Sequence, residues 1–243
     1  MSVGDHKLTA ATAALELIEP GMKLGLGSGS TSDKFVELLA AKVKSGLDVL
    51  CVPTSEATRA LAEWLGIPLT TLDAEPNLDL TVDGADEIDP QLCLIKGGGG
   101  ALLREKIVAT ASDRMVVIAD ASKKVATLGK FPLPIEVVRF GLASTRQMIE
   151  MIAEVGGLTG EISVRQGGKG GPFVTDNGNL ILDCAFGAIP DPGELSATLK
   201  MIPGVIDHGL FIGFADIAIV AGAKGIELIV SEDEDEDEDD DDA

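Results

Sequence analysis

Apolar strand patterns alternate with amphipathic helix patterns through the first half of the chain, and this rhythm is the feature that most restricts its fold. The strand patterns occur at 22–27, 48–53, 78–88 and 114–120, and helical spacing occurs at 8–18, 30–43, 55–66 and 102–112. Successive parallel strands need a crossover connection, which is usually a helix. The sequence therefore predicts a Rossmann-like α/β fold with a doubly wound, mainly parallel sheet.

The rhythm changes after Phe131, where the order becomes strand, helix, strand, strand, helix, strand. Asn177-Gly178, inside the segment 173–184, is a strong hairpin signal. This order is typical of the ferredoxin-like α+β arrangement. The apolar segments 215–222 and 225–230 are predicted to return to the first sheet. We therefore predict a larger α/β domain of residues 1–130 plus 208–231, a smaller ferredoxin-like domain of residues 131–207 and an acidic tail of residues 232–243.

The formal charge of −21 is concentrated at the C-terminus, where Glu232–Asp242 are eleven consecutive acidic residues. We expect this low-complexity segment to be disordered and to act as a solvated, solubilising tail. The remaining 29 acidic and 19 basic residues leave the rest of the chain acidic as well. Because nucleic acids bind to basic surfaces, we expect no nucleic-acid partner.

The composition points away from a membrane protein and away from a histidine-based site. No apolar run approaches the roughly 20 residues that span a bilayer, and MSVGDHKLTA contains no apolar signal segment, so we expect a cytoplasmic protein without a membrane partner. Cys51, Cys93 and Cys184 are widely spaced and indicate buried thiols of a reducing compartment. His6 and His208 are the only histidines, so a His-rich metal centre or a Ser-His-Asp triad is poorly supplied.

A glycine-rich loop, GLGSGST at 25–31, joins the first strand to the second helix. Its residues 28–31 offer hydroxyl and backbone donors at a helix N-terminus, which suits an anion. The segment matches neither the G-x-G-x-x-G dinucleotide fingerprint nor a P-loop. From this loop alone, an anion site and a plain tight turn with a capped helix, signalled by Ser30 and Asp33, are equally compatible with the sequence.

A second polar loop, DGADE at 83–87, follows the third strand. It places Asp83, Asp86 and Glu87 at the carboxyl end of that strand, the edge at which open α/β sheets bind ligands. An ordinary turn has the same composition, and taken alone that interpretation is favoured. Carboxylates at a sheet edge also suit sugar hydroxyls.

The third loop and the helix after it read KGGGGALLREK, residues 96–106. The glycines can bring backbone amides against a ligand, and Lys96 adds a charge beside them. Glu105 falls about one turn into the helix, where its carboxylate could face back to the cleft. A triplet such as Arg104-Glu105-Lys106 more commonly forms a charge cluster on the protein surface. Lys7 and Lys123 could reach the same edge.

Three such loops at one sheet edge suit a small phosphorylated polyol. The chemistry that carboxylates, amides and lysines can perform on it is proton transfer α to a carbonyl, with a carboxylate base and donors that stabilise an enediolate. That chemistry requires no cofactor.

GSGST, DGADE and KGGGGALLREK, in this order and spacing, resemble ribose-5-phosphate isomerase of type A, and the resemblance covers residues 3–230. It implies interconversion of D-ribose 5-phosphate and D-ribulose 5-phosphate through a cis-enediol, in the non-oxidative branch of the pentose phosphate pathway. It also implies a metal-independent enzyme without a cofactor, assembled as a homodimer or tetramer.

The resemblance also implies roles for individual residues. Glu105 would be the general base, with a pKa raised towards neutrality by burial. Lys96 and the glycine amides would stabilise the oxyanion. Asp83 and Asp86 would hold sugar hydroxyls, and one of them could assist ring opening. The expected substrate-binding residues are Ser28, Gly29, Ser30, Thr31, Gly84, Ala85, Gly97, Gly98, Gly99, Lys123 and Lys7.

Two alternatives remain open. One is a related sugar-phosphate isomerase or deaminase, although a deaminase would want a histidine base and neither histidine lies in a cleft motif. The other is a non-catalytic sugar-phosphate sensor, which would usually carry a DNA-binding segment. The sequence shows neither an additional N-terminal helical module nor a basic face.

Overall fold

A computed structural model describes residues 2–168 and 170–231, so the predicted acidic tail lies outside the described residues. Its elements in chain order are α1 (Val3–Leu15), β1 (Lys23–Leu26), α2 (Ser32–Lys44), β2 (Leu50–Pro53), α3 (Glu56–Leu65), β3 (Leu78–Asp83), β4 (Glu87–Ile88), β5 (Leu94–Ile95), α4 (Leu102–Thr110), β6 (Ser112–Asp120), a 3-10 turn (Ala121–Lys123), β7 (Leu133–Val137), α5 (Leu142–Val155), β8 (Glu161–Val164), β9 (Gln166–Gly167), β10 (Gly171–Pro172), β11 (Leu180–Ala185), α6 (Pro192–Leu199), β12 (Val205–His208), β13 (Leu210–Phe211), β14 (Ile217–Gly222) and β15 (Gly225–Val230).

The main sheet has six strands in the order β15-β14-β6-β3-β1-β2. Every neighbouring pair is parallel except β14 and β15, which form an antiparallel hairpin at one edge. This confirms the predicted mainly parallel sheet and the return of the last two strands to it. From β1 the chain adds β2 on one side and then β3 on the other, so the topological switch point lies between β1 and β3. Ligands of open α/β sheets bind at such a point.

Strand β6 shows why this sheet is covered on both faces. Val116 and Ile118 belong to the apolar cluster that includes residues of α1 and α2, whereas Met115 and Val117 belong to the cluster on the opposite face, which includes Phe211. Neighbouring side chains of a strand point to opposite faces. The apolar run 115–119 of this strand therefore needs packing on both sides, as strands of parallel sheets do.

The second sheet has four antiparallel strands in the order β12-β7-β11-β8. Numbered by their succession in the chain these strands stand 4-1-3-2, and α5 and α6 pack on them through Ile149 and Leu195. This is the ferredoxin-like arrangement that the element order predicts. The apolar cluster also contains Ile95, Leu128 and Leu210, which fall outside residues 131–207. The exact domain boundaries therefore stay a prediction.

Two local predictions are wrong. Helix α2 has Thr31 at its N-cap without a side-chain capping bond, and the hydroxyl of Ser30, the expected cap, accepts from Lys7 Nζ at 2.7 Å instead. Asn177-Gly178 does form a turn, with the Thr175 N–H donating to the Asn179 carbonyl at 3.0 Å. The residues before this turn form no strand, since β11 pairs with β7 and β8 instead.

The last strand of the predicted ferredoxin-like order continues only to His208, and a separate strand begins after Gly209. The Gly209 N–H donates to the Pro134 carbonyl at 2.7 Å, and its own carbonyl accepts from the Lys96 N–H at 2.8 Å. The chain therefore leaves the small sheet at β12 and enters a three-stranded sheet in the order β13-β5-β4. Across the described residues, no helix is both long and apolar enough to cross a membrane.

Candidate active site

A polar cavity of about 110 Å³ lies at the carboxyl ends of β1 and β3. The three predicted loops form its wall together with the start of α4, one lysine of α1 and one lysine of the 3-10 turn. The 14 lining residues are Lys7, Ser28, Gly29, Ser30, Thr31, Gly84, Ala85, Asp86, Lys96, Gly97, Gly98, Gly99, Glu105 and Lys123. All of them are among the site residues predicted from the sequence, and Asp83 is the one predicted residue that the structure places outside the lining.

Asp83 is the last residue of β3 and is fully buried beneath the cavity. Its Oδ1 accepts hydrogen bonds from the Ser28 N–H at 3.0 Å, the Ser32 hydroxyl at 3.2 Å and the Gly84 N–H at 2.7 Å. Its Oδ2 lies 3.0 Å from Lys96 Nζ. Oδ1 is therefore taken up by the protein, whereas Oδ2 is ion-paired with Lys96 and has no hydrogen-bond partner among the described residues. Asp83 joins the first loop to β3 and pairs with Lys96, and its contact with a sugar hydroxyl stays a prediction.

The Lys96 ammonium is buried between carboxylates. Its Nζ donates to the Gly84 carbonyl at 2.5 Å and lies 3.6 Å from Glu105 Oε2 and 5.5 Å from the centroid of the Phe211 ring. Burial disfavours the charged form, but the neighbouring carboxylates of Asp83 and Glu105 outweigh it, so the pKa of Lys96 is raised. The lysine therefore stays a cation and a hydrogen-bond donor at the cavity wall.

Glu105 lies on the buried face of α4 together with Leu102, Val108 and Ala109. These positions are three or four residues apart, so they share one side of the helix, and the carboxyl is carried inward with them. Among the described residues its Oε2 has no hydrogen-bond partner. Burial raises the pKa of Glu105 to about 8, the charges of nearby Asp83 and Asp86 add to the effect, and Lys96 opposes it. The surface-cluster interpretation of this residue is therefore excluded.

The glycine loop, residues 97–100, supplies backbone groups to the cavity. The Gly98 N–H donates to Asp86 Oδ2 at 2.7 Å, and the Gly100 N–H donates to the Gly97 carbonyl at 2.9 Å. Two of the four amides are therefore used inside the protein. The N–H groups of Gly97 and Gly99 are paired with no acceptor among the described residues.

The residues of the first loop face two different regions, the start of α3 and the cavity. The hydroxyl of Ser28 makes its contacts with the start of α3, at 2.8 Å from Thr54 Oγ1, 2.8 Å from Ser55 Oγ and 3.1 Å from Thr58 Oγ1. Ser28 therefore anchors the loop to a neighbouring hydroxyl cluster.

The other residues of this loop face the cavity beside two lysines. Lys7 Nζ donates to Ser30 Oγ at 2.7 Å, and Lys123 lines the same cavity from the 3-10 turn. Helix α2 begins directly after Thr31. The Asp33 and Lys34 N–H groups donate to the Gly29 and Thr31 carbonyls at 2.8 and 3.1 Å, so this helix end contributes mainly the positive end of its dipole. Two ammonium groups and a helix N-terminus together make this region of the wall suitable for a dianion.

Both charged neighbours of Glu105 are ion-paired. Arg104 pairs with Glu56 at 2.6 Å. Lys106 donates to Asp207 Oδ1 at 2.6 Å and to the His208 carbonyl at 2.7 Å, and burial lowers its pKa. Neither residue lines the cavity.

Three residues around the site escaped the sequence analysis. Ser32 directly follows GSGST, so extension of that motif by one position would have included it. Phe211 supports Lys96, and Arg165 contacts the glycine loop at 2.8 Å, but both lie on distant segments whose local sequence carries no signal for this role. In residues 2–168 and 170–231 no group of three or more His, Cys, Asp or Glu side chains is placed to hold a metal ion. Independence from metals stays a prediction.

Comparisons with known proteins agree with this geometry. The family model of ribose 5-phosphate isomerase A (phosphoriboisomerase A) matches residues 50–225. Ribose-5-phosphate isomerase A of Parvibaculum lavamentivorans is 62% identical over 229 residues, which are 94% of this chain and 99% of that protein. A solved D-ribose-5-phosphate isomerase in complex with phospho-erythronic acid has a TM-score of 0.88 and 41% identity, over 95% of this chain and 100% of that chain. Ribose 5-phosphate isomerase A of Methanocaldococcus jannaschii has a TM-score of 0.86 and 41% identity over the same shares.

The agreement covers nearly the whole chain. It confirms that resemblance at the level of the family and of the enzyme class. The chain is an isomerase that belongs to the ribose 5-phosphate isomerase A family.

Proposed function

We propose that this isomerase interconverts D-ribose 5-phosphate and D-ribulose 5-phosphate through a cis-enediol, with Glu105 as the general base. The observation that carries the proposal is the buried Glu105 carboxyl, whose Oε2 is 3.6 Å from Lys96 Nζ at the wall of a polar cavity. We assign the reaction to the non-oxidative branch of the pentose phosphate pathway, which the family resemblance implies.

The reaction moves one hydrogen between adjacent carbons of the open-chain sugar. Glu105 removes the proton from C2, the electron pair of the broken C–H bond forms the C1=C2 double bond, and O1 takes up a proton. The protonated Glu105 then returns its proton to C1, the O2–H proton leaves, and C2 becomes the carbonyl. C1 is reduced and C2 is oxidised within one molecule, so the balance needs no external oxidant or reductant.

The electrostatics of the site support these roles. A general base works best when its pKa is close to the working pH, and burial raises the pKa of Glu105 to about 8. Lys96 remains charged because two carboxylates hold it, so it can stabilise the negative oxygen of the enediolate. The unpaired Gly99 amide on the same wall is a second donor for that oxygen. Asp86 lines the cavity and is placed to accept from a sugar hydroxyl.

We place the phosphate at the other group of donors, formed by residues 29–31, Lys7 and Lys123. A phosphate dianion suits a helix N-terminus flanked by ammonium groups. Phospho-erythronic acid, the ligand of a related isomerase, also joins a phosphate to a short polyol and a carboxylate. A planar carboxylate resembles the C1–C2 end of an enediolate, which supports the same orientation of substrate here.

The decisive experiment compares Glu105→Gln with the wild type, using ribose 5-phosphate in the presence of EDTA. The amide keeps the shape of the side chain but cannot accept the C2 proton. We expect kcat to fall at least ~10²-fold while ribose 5-phosphate binding by calorimetry stays within ~3-fold. Glu63→Gln, at an exposed position of α3, is the matched control and should leave kcat unchanged.

Retained turnover in Glu105→Gln would remove the assignment of the base. A parallel panel of other aldose phosphates tests the substrate, since a higher kcat/KM for any of them would favour a related sugar-phosphate isomerase. The homo-oligomeric state and the cytoplasmic location remain expectations of the family resemblance, and light scattering of the purified chain checks the first.

A further inference from the structure

We propose that Arg165, a residue of the ferredoxin-like region of the chain, is a positioning residue for the isomerase reaction. Its guanidinium holds the carbonyls of Gly97 and Gly98 and so sets the glycine loop against the substrate cavity. The effect on turnover rests on the proposed function, whereas the contact itself rests on the geometry alone.

Arg165 contacts two partners with different atoms of its guanidinium. Nη1 donates to the Gly97 carbonyl at 2.8 Å and to the Gly98 carbonyl at 3.1 Å. Nε and Nη2 form a bidentate pair with Asp183 of β11, at 2.9 and 2.5 Å. The bidentate pair fixes the plane of the guanidinium, and this geometry is available to arginine and not to lysine. The loop carbonyls are thereby fixed relative to the small sheet.

The backbone on either side of this contact is anchored as well. The Arg165 N–H donates to the Ile181 carbonyl at 2.9 Å, and the Arg165 carbonyl accepts from the Phe173 N–H at 2.8 Å. The Phe173 ring lies against the far end of the glycine loop, where a Cβ added to Gly100 would stand 2.4 Å from a ring carbon. Gly100 also has φ +83°, so a side chain there would be strained as well as crowded. The side chain of Arg165 is only 13% exposed, which leaves it little freedom to choose another partner.

The two carbonyl contacts decide where the loop amides point. In a trans peptide the C=O and the following N–H point in opposite directions. Holding the Gly97 carbonyl towards Arg165 therefore turns the Gly98 N–H away, and this N–H donates to Asp86 at 2.7 Å. By the same geometry the Gly98 carbonyl contact turns the Gly99 N–H away from Arg165, in a loop that lines the cavity. One guanidinium thus orients both the Asp86 carboxylate and a candidate oxyanion donor.

Asp183 pairs with the charge of Arg165 at 2.5 Å. We therefore expect Arg165 to act on geometry and to leave the pH dependence of catalysis unchanged. A residue that acted through its field would instead shift the pKa that appears in the kcat/KM profile.

The test uses Arg165→Lys in the full chain with ribose 5-phosphate as substrate. The ammonium keeps the charge but cannot serve Asp183 and two carbonyls together, so the loop amides lose their fixed direction. We expect kcat to fall ~10-fold or more with KM within ~3-fold and an unchanged pH profile, since small misplacements of catalytic groups cost this much. In Arg165→Ala we expect a larger loss of kcat, partly restored by guanidinium ion at low millimolar concentration.

Hydrogen–deuterium exchange supplies a readout that does not depend on activity. Peptides that cover residues 96–101 should exchange faster in Arg165→Lys, with the rest of the chain unchanged. Arg146→Lys is the matched control, because Arg146 pairs with Glu150 on the surface of α5 at 2.9 Å and contacts no loop of the site. Asp183→Asn, which weakens the bidentate pair without removing Arg165, should give a smaller change in the same direction.

Wild-type kcat and local exchange in Arg165→Lys would overturn the proposal even if Glu105→Gln is inactive, and the proposed function would then stand alone. Faster exchange over the whole chain, with a matching loss of thermal stability, would also overturn it by showing a merely structural role. If the wild type does not convert ribose 5-phosphate while residues 96–101 still exchange faster in the variant, the proposed function is wrong, whereas the proposed contact between Arg165 and the loop is supported.

Discussion

Glu105 carries a carboxyl on a helix face that otherwise packs apolar side chains, and this placement has an energetic consequence. Its pKa is about 8 in the folded protein, against an ordinary value of 4.5. Glu105 therefore binds its proton more tightly in the native state than in the unfolded chain. The ionised form that serves as base is the form that burial destabilises, so at this residue catalysis and stability oppose each other.

Replacement of Glu105 by glutamine should therefore stabilise the protein at neutral and alkaline pH. Between pH 4.5 and 8 the native state holds a proton that the unfolded state has lost, so the contribution of Glu105 to the free energy of unfolding falls as pH rises. We expect the free energy of unfolding of Glu105→Gln to exceed that of the wild type by about 1–3 kcal/mol at pH 8 and to equal it below pH 4.5. Urea unfolding of both variants across this range measures the difference, and a gap independent of pH would contradict the argument.

Among the elements, the close approach of β1 to β3 determines the shape of the site. Gly27 follows β1 directly, and a Cβ at this position would lie 2.1 Å from Asp83 Oδ1 and 2.5 Å from Asp83 Cα. Since the second of these atoms is backbone, no rotamer change relieves the contact. The absence of a side chain at Gly27 is what allows Asp83 to lie beneath the cavity and pair with Lys96.

Gly27→Ala should accordingly separate the two strands or displace Asp83. We expect a loss of at least ~2 kcal/mol in the free energy of unfolding, as other overpacked core positions show. Gly99→Ala is the matched control, because a Cβ there meets no atom within 4 Å, and we expect its unfolding free energy to change by less than ~0.5 kcal/mol. Denaturant unfolding measures the stability of both variants. Equal stability would contradict the argument, because it would show that the strands separate at little energetic cost.

At the scale of the whole molecule, the two sheets are joined around Arg104. Its Nη1 pairs with Glu56 of α3 at 2.6 Å, and its Nε donates to Asn177 Oδ1 at 3.1 Å. The Glu56 N–H in turn donates to Asp176 Oδ2 at 2.8 Å. The turn at 176–178, predicted as the tip of a hairpin, is thus a contact between the small sheet and the main one. Together with the Arg165 contact, it attaches the small sheet at both sides of the glycine loop.

The acidic tail should contribute nothing to catalysis. Its eleven carboxylates carry charge of the same sign as the acidic remainder of the chain, and none of the predicted site residues lies among them. Truncation after Ser231 keeps the last described hydrogen bond, from the Ser231 N–H to the Asp216 carbonyl at 2.9 Å. We expect kcat/KM for ribose 5-phosphate to stay within ~2-fold of the full chain at physiological ionic strength. A large loss of activity in the truncated chain would assign the tail a role.

The sequence by itself determined the fold class and the three loops of the site. Apolar periodicity, glycine and acidic turn motifs act over a few residues, and parallel strands necessarily bring their carboxyl ends to one edge. The same local rules placed the cap of α2 one residue early, at Ser30, whose hydroxyl accepts from Lys7, 23 residues away, while the observed N-cap, Thr31, makes no side-chain bond.

Only the tertiary structure decided how the charged side chains are used. Glu105 is buried, Asp83 lies under the cavity and Arg165 reaches the glycine loop because segments distant in the chain pack together. Burial and the directions of long-range hydrogen bonds depend on that packing, which local sequence patterns do not encode. The loops could be predicted as a set, whereas the role of each carboxylate within them depended on the neighbours that folding provides.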